Sequence, residues 1–311
     1  YNFKQVLIRY CDYKEKSVLK MNSTKSGLME KFLFRIAKQW IAGDTMDQAL
    51  ESARLAYEKG MDAIINKLGE HLTSKTQIEN TVKEYVKIVS SLRKAGIEGG
   101  ISAKPTQLGL SRSKTECLQN YNIIIEKVAL SQAFVWIDME SSEHTDDTIG
   151  IYLDLFGKYE RLGLALQANL RRSKRDLMKL LEKGAKIRLV KGAYRENKEI
   201  AFQSRKQVDQ NYRALMEILF LKGNEFGIAT HDSNMIEQAI KLSKKYEKKF
   251  EFQMLKGIRD ELKLDLLQSG FSIAEYIPYG TNWLPYSIRR LKERKRNILL
   301  LGSSYIHSHR V

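Results

Sequence analysis

From about residue 60 onward the chain alternates two patterns. Short apolar runs of strand length fall at 62–68, 100–104, 134–138, 164–167, 187–190, 227–230, 250–255 and 272–277. Between them lie longer stretches with apolar residues at helical spacing, at 76–95, 114–130, 145–161, 173–182, 197–221, 234–248, 259–268 and 285–300. Strands alternating with helices read as βαβ units building a parallel sheet. Eight such units in about 240 residues match a closed (β/α)8, TIM-type barrel in count and size. A doubly wound open sheet is the competing arrangement, but it usually carries a glycine-rich phosphate turn after an early strand. Neither G-x-G-x-x-G nor G-x-x-x-x-G-K-[ST] occurs. Residues 1–60 read as helical, most clearly at 25–41 and 46–59, and form an N-terminal extension packed on a barrel of residues 61–311.

Composition narrows this little. With 43% hydrophobic and 29% charged residues, the 311-residue chain has enough apolar material for a large core. Its formal charge of +16 favours polyanions such as nucleic acid, anionic lipid or an acidic partner. The excess is spread along helices, with modest clusters at 244–249 and 292–296; of the aromatic residues a nucleic-acid surface interleaves with its basic runs, the first holds only Tyr246 and the second none. A nucleic-acid partner is therefore not expected. Cys11 and Cys117 lie far apart, without metal spacing or a disulfide framework, which suits a reducing compartment. No membrane-spanning run and no signal-peptide pattern is present, so a cytoplasmic location is expected.

In a barrel the active site lies at the C-terminal ends of the strands. The residues there are Lys104, Asp138, Gln167, Arg188 with Lys191, Thr230 with His231, Gln253 and Tyr276. Turn chemistry alone asks for Gly, Ser, Asn and Asp instead. Each residue taken singly reads as structural; together at one rim they point to a site. Lys104 and Asp138 in one mouth are expected to pair and hold each other charged. Val190-Lys191-Gly192-Ala193-Tyr194 lacks bulk at Gly192 and Ala193, so a flat ligand or phosphate can approach the backbone. His231 has no second metal ligand at suitable spacing and reads as a hydrogen-bonding residue; no metal is expected. In the closing segment Pro285 opens a helix on which Tyr286, Arg289, Arg290 and Glu293 share one face, below Tyr276. Two arginines beside two tyrosines suit a small carboxylate with an apolar body.

These rim residues resemble the proline dehydrogenase family, flavin-dependent barrels that open proline breakdown. The matching pieces are Lys67-Leu68-Gly69-Glu70, Ser102-Ala103-Lys104-Pro105-Thr106-Gln107-Leu108-Gly109, Ile137-Asp138-Met139-Glu140, Leu166-Gln167-Ala168, Ile187-Arg188-Leu189-Val190-Lys191-Gly192-Ala193-Tyr194, Ala229-Thr230-His231, Phe252-Gln253-Met254-Leu255, and Tyr276 with Tyr286, Arg289, Arg290 and Glu293. They occur in order from about Gly60 to Arg296, and the chain looks like the monofunctional form, with no aldehyde-dehydrogenase domain following. The first sixty residues carry little of the family signal.

The resemblance implies FAD bound over the barrel mouth. Arg289 and Arg290 would grip the carboxylate of L-proline. Tyr276, Tyr286 and Leu255 would wall its ring, with Ala193 and Tyr194 close by. Lys104, Asp138 and Arg188 would be catalytic, and Lys104 and Asp138 would also touch substrate. Gln167, Arg188, Val190, Lys191, Gly192, Ala193, Thr230, His231, Gln253 and Glu293 would contact FAD or hold its contacts. Glu70 is similar to the residue that pairs with the first arginine and closes the site. The implied reaction is hydride transfer from C5 of proline to FAD, giving Δ1-pyrroline-5-carboxylate, with a membrane quinone as final acceptor. The charge of +16 is compatible with peripheral docking on an anionic membrane. Many relatives place Trp after Gly-Ala-Tyr, where this chain has Arg195. Two rivals remain on sequence grounds alone: a polyanion-binding module, and a flavin-free lyase or aldolase barrel acting on another carboxylate.

Overall fold

A computed structural model of the chain describes residues 37–129 and 133–287. Residues 40–281 form one compact unit built around a closed barrel in the order β1-β2-β3-β4-β5-β6-β7-β8. The strands are β1 (Asp62–Lys67), β2 (Gly99–Ala103), β3 (Phe134–Ile137), β4 (Leu162–Gln167), β5 (Lys186–Val190), β6 (Phe226–Ala229), β7 (Phe250–Leu255) and β8 (Ser272–Tyr279). Every neighbouring pair is parallel, and β1 closes the ring on β8 with Ile64 opposite Tyr276.

The helices of the unit are α1 (Met46–Tyr57), α2 (Lys75–Lys94), α3 (Lys114–Ala129), α4 (Thr145–Phe156), α5 (Ser173–Glu182), α6 (Arg205–Lys222), α7 (Ser233–Tyr246) and α8 (Asp260–Gln268). Side chains opening several of them explain where they begin. Thr45 and Ser204 form capping boxes with Gln48 and Gln207, and Asp232 caps α7 through Asn234 N–H. α1 lays Ala49, Ala53 and Ala56 into the core against the barrel's outer wall. The main core is the ring between sheet and helices, where alternate strand residues such as Ile65, Ile101, Ile137, Leu164 and Ile187 meet buried helical side chains. Inside the barrel, Ile64, Trp136 and Ala274 form a separate apolar layer. It fits only because β4 offers a glycine there: a Cβ on Gly163 would fall 2.3 Å from the Trp136 ring.

Two sequence-read helices differ in extent. The stretch read as helical from 197 begins at Arg205, because residues before it bridge to the loop after β4. The stretch read to 161 ends at Phe156 before Gly157. The other described residues, 37–39 and 282–287, belong to a second unit, in which 283–287 are helical. Most of the helices read at 25–41 and 285–300 lies outside the described residues.

Candidate active site

The charged network at the mouth grows from five strands, β2, β3, β5, β7 and β8. Asp138, the first residue beyond β3, is tied down by its backbone N–H, which donates to Ala103 O at 2.9 Å. Its Oδ1 accepts from Ser102 Oγ at 2.9 Å and from Arg188 Nη2. Its Oδ2 accepts from Tyr276 OH at 2.8 Å and lies 3.6 Å from Lys104 Nζ. Burial alone would push the Asp138 carboxyl up; the Arg188 and Lys104 charges, with the Tyr276 and Ser102 bonds, outweigh it and hold the carboxyl below its ordinary range. Arg188 is only 2% exposed. Beyond Asp138 it donates to Ser102 Oγ at 2.8 Å and Gln253 Oε1 at 3.2 Å, and its guanidinium sits 4.9 Å from the Trp136 ring centre and 5.5 Å from that of Tyr276. A buried cation so fully matched is held in place.

Beside this network a second buried carboxylate organises the loops after β1 and β2. Glu140 accepts at both oxygens from Thr106, from N–H at 2.9 Å and from Oγ1 at 2.6 Å. Burial pushes its pKa up, partly offset by those bonds. Thr106 in turn accepts from His71 N–H at 2.8 Å, and Leu72 N–H donates to Thr106 O at 3.1 Å, which fixes the loop carrying Glu70. Ligand-type atoms of Glu70, His71 and Glu140 come within 4.8 Å of one another. Both Glu140 oxygens already have donors, so the cluster reads as loop architecture.

The loops after β4 and β5 form the opposite side of the mouth. Gly192 has φ +102°, a left-handed conformation, and a Cβ there would meet Asn169 Oδ1 at 2.1 Å. Asn169 N–H donates to Lys191 O at 2.9 Å, and its side-chain amide to Tyr194 O at 3.5 Å. Lys191 Nζ is shared by Asp209 at 2.5 Å and Asp232 at 3.0 Å. Further out, Glu196 takes the Ser142 N–H at 2.7 Å and the Ser142 hydroxyl at 2.6 Å, pinning the β5 loop to the β3 loop. His231 Nε2 accepts from Leu255 N–H at 2.9 Å, which puts the ring proton of the neutral tautomer on Nδ1. Thr230 Oγ1 accepts from Asp232 N–H at 3.1 Å.

Of the residues singled out from sequence, Lys104, Asp138, Arg188 and Tyr276 come together in one hydrogen-bonded group, with Gln253 beneath Arg188. Gln167, Val190, Lys191, Gly192, Ala193, Tyr194, Thr230, His231 and Leu255 stand at the ends of β4 to β7. Glu70 follows β1 on the same rim. Tyr286 belongs to the second unit, and Arg289, Arg290 and Glu293 lie outside the described residues. Ser102, Thr106, Asn169 and Glu251 did not stand out individually in the sequence. Ser102 is inside an apolar strand and Asn169 in an ordinary-looking loop; only their hydrogen bonds mark them.

The rim suits a flavin. Gln167 Oε1 and Asn169 Oδ1 are buried acceptors without a hydrogen-bond partner in the structure. A buried acceptor left unmatched costs about 1–3 kcal/mol. The imide N–H and ribityl hydroxyls of a flavin are donors of the kind both require. Gly192, lacking a Cβ, lets the Asn169 amide pack against its backbone, and Arg188 and Lys104 supply positive charge.

Fold and rim together define a barrel enzyme that handles a small ligand at the C-terminal strand ends. The chain belongs to the proline dehydrogenase family, whose family model matches residues 49–298. It is 32% identical over 283 residues to proline dehydrogenase 1 of Bacillus subtilis subsp. natto, covering 90% of this chain and 94% of that protein. It is 31% identical over 278 residues to the proline dehydrogenase of Deinococcus radiodurans, covering 87% and 90% of the two chains. The fold matches the crystal structure of proline utilization A from Bdellovibrio bacteriovorus inactivated by N-propargylglycine, with TM-score 0.79 and 24% identity over 87% of this chain. The present chain spans 34% of that longer protein.

Proposed function

We propose that the chain oxidises L-proline to Δ1-pyrroline-5-carboxylate with FAD as its cofactor, the first step of proline breakdown, and that the electrons pass on to a membrane quinone. The observation that carries this reading is the Lys104–Asp138–Arg188–Tyr276 group at the mouth of a barrel of this family. When bound, FAD supplies the hydride acceptor. The protein's part is to hold proline with C5 facing that acceptor, which is catalysis by positioning. Gln167, Val190, Lys191, Gly192, Ala193, Thr230 and His231 would hold the cofactor, with Gln253 and Glu293 supporting it. Tyr276, Leu255, Ala193, Tyr194 and Tyr286 would form the apolar wall around the pyrrolidine ring, and Arg289 and Arg290 would bind its carboxylate, with Glu70 pairing the first of them.

Two cations, Lys104 and Arg188, share one carboxylate, Asp138, leaving an excess of positive charge. That excess disfavours a protonated substrate amine, and hydride loss requires the amine neutral. It also favours the negative charge that reduction brings. Docking on an anionic membrane face is consistent with the net charge of +16. No helix among the described residues is long and apolar enough to cross a membrane.

The visible absorption spectrum of the purified protein tests the reading, taken before and after L-proline is added without oxygen. A flavin spectrum that bleaches supports it. A flavin that stays oxidised moves the substrate elsewhere, and a colourless protein that takes up no FAD reopens the lyase alternative. Arg289→Ala and Arg290→Ala are expected to raise KM for proline while FAD stays bound.

A further inference from the structure

A polar chain runs down the barrel interior beneath the mouth, and its lowest member has no part in the reading above. Gln253 Oε1 accepts from Arg188 Nη1 at 3.2 Å, and Gln253 Nε2 donates to Glu251 Oε1 at 2.5 Å. Glu251 and Gln253 stand two apart on β7, so they share its inward face. An amide has one accepting end and one donating end. Here a guanidinium takes the first and a carboxylate the second, so one orientation of the Gln253 amide is satisfied and the flipped one sets like against like at both ends. The space is tailored as well: a Cβ on Gly227 of β6 would lie 2.7 Å from Gln253 Nε2.

The surroundings of Glu251 make its charge sensitive. Desolvation pushes its pKa up, Asp62 of β1 and Glu225 before β6 push it further, and the Gln253 bond and the Arg188 charge pull it back, leaving it at about 7. Across the strands, Glu251 pairs in register with Gly227 of β6 and Ser272 of β8, neither of which brings a charge.

We propose that Glu251 is a positioning residue for Arg188: by fixing the Gln253 amide it fixes the guanidinium that anchors Asp138, and with it the arrangement of charge at the mouth. This rests on the proposed function only in taking the Arg188–Asp138 pair as part of the oxidising site. Glu251→Gln retains a carbonyl to accept from Gln253 but loses the titration. Glu251→Leu removes the acceptor, frees the amide to turn, and lets its NH2 face Arg188.

The test compares wild type, E251Q and E251L in two measurements. One is kcat and KM for L-proline against pH. The other is the side-chain 15N–1H signal of Arg188, which needs neither cofactor nor substrate. E251L is expected to lower kcat by up to about 100-fold, the scale of a small misplacement at a reacting centre, and to shift or broaden the Arg188 signal. E251Q is expected to restore both, because its amide oxygen accepts from Gln253 as the carboxyl oxygen does. An unchanged Arg188 signal in E251L overturns the proposal, as does E251Q failing to the same degree as E251L. Should E251L not fold, an E251Q variant that matches wild type in neither kcat nor the Arg188 signal overturns it. A wild type that neither binds flavin nor oxidises proline defeats the functional reading, while the Arg188 signals still decide what Glu251 does.

Discussion

Asp138 and Arg188 meet across the barrel interior, a carboxylate from the end of β3 bonded to a guanidinium from the middle of β5. Fifty positions separate them in sequence. Removing one member of such a pair leaves the other buried and uncompensated. Asp138→Ala is expected to lose about 3–5 kcal/mol of unfolding free energy, read by urea denaturation, and to abolish proline oxidation. Asp138→Asn, which keeps the shape and some of the bonds, is expected to fall between the two in stability.

The pH dependence of stability has a defined sign at Glu251. Its folded pKa, about 7, lies above the ordinary carboxyl value of 4.5. Between those values the folded state keeps the proton that the unfolded chain has released, so stability falls as pH rises through that window and levels off above it. Unfolding free energies of wild type and Glu251→Gln measured at several pH values are therefore expected to diverge from about 4.5 to about 7 in favour of the variant. Parallel curves would contradict the raised value.

Gly192 is held at a φ that other residues reach only with strain, and it faces Asn169 at a distance no Cβ tolerates. Gly192→Ala is expected to cost about 1–3 kcal/mol and to displace the segment carrying Ala193 and Tyr194. The check is FAD retention during gel filtration, where the variant is expected to elute with less cofactor than wild type.

Glu196 acts on order more than on global stability. Its carboxylate joins the β5 loop to Ser142 through two bonds. Glu196→Ala is expected to change global unfolding by no more than about 1–2 kcal/mol, while limited proteolysis cuts faster within 192–203. Equal cleavage rates would show that the Leu170–Ala201 bridge alone holds the loop.

The fold was legible because a barrel repeats one local pattern, and all eight strands fall within two residues of the apolar runs that announce them. Misreadings arose where tertiary bonding overrode propensity. Residues 197–204 look helical, but Phe202 N–H and Arg171 N–H are spent on bonds between the β4 and β5 loops, so α6 waits for the Ser204 cap. Charges at strand ends were equally legible, and the Lys104–Asp138 pair could be expected from position. The inward bonds of Ser102, Gln253 and Glu251 were not, since a polar residue in a strand gives no sign of which distant strand completes it. The arginines at 289 and 290 stood out most in sequence and lie outside the described residues.

Arg188 draws its partners from β2, β3, β7 and β8, so its desolvation is matched only once strands from both ends of the unit have met around β5. During folding, a sheet that lacks β7 and β8 gives the guanidinium Ser102 and Asp138 but neither Gln253 nor the Tyr276 ring. Ring closure and assembly of the charged mouth become a single event. A chain cut before β7 would on this view lack a complete mouth, and splitting the gene there would yield two pieces that complete it only on reassociation.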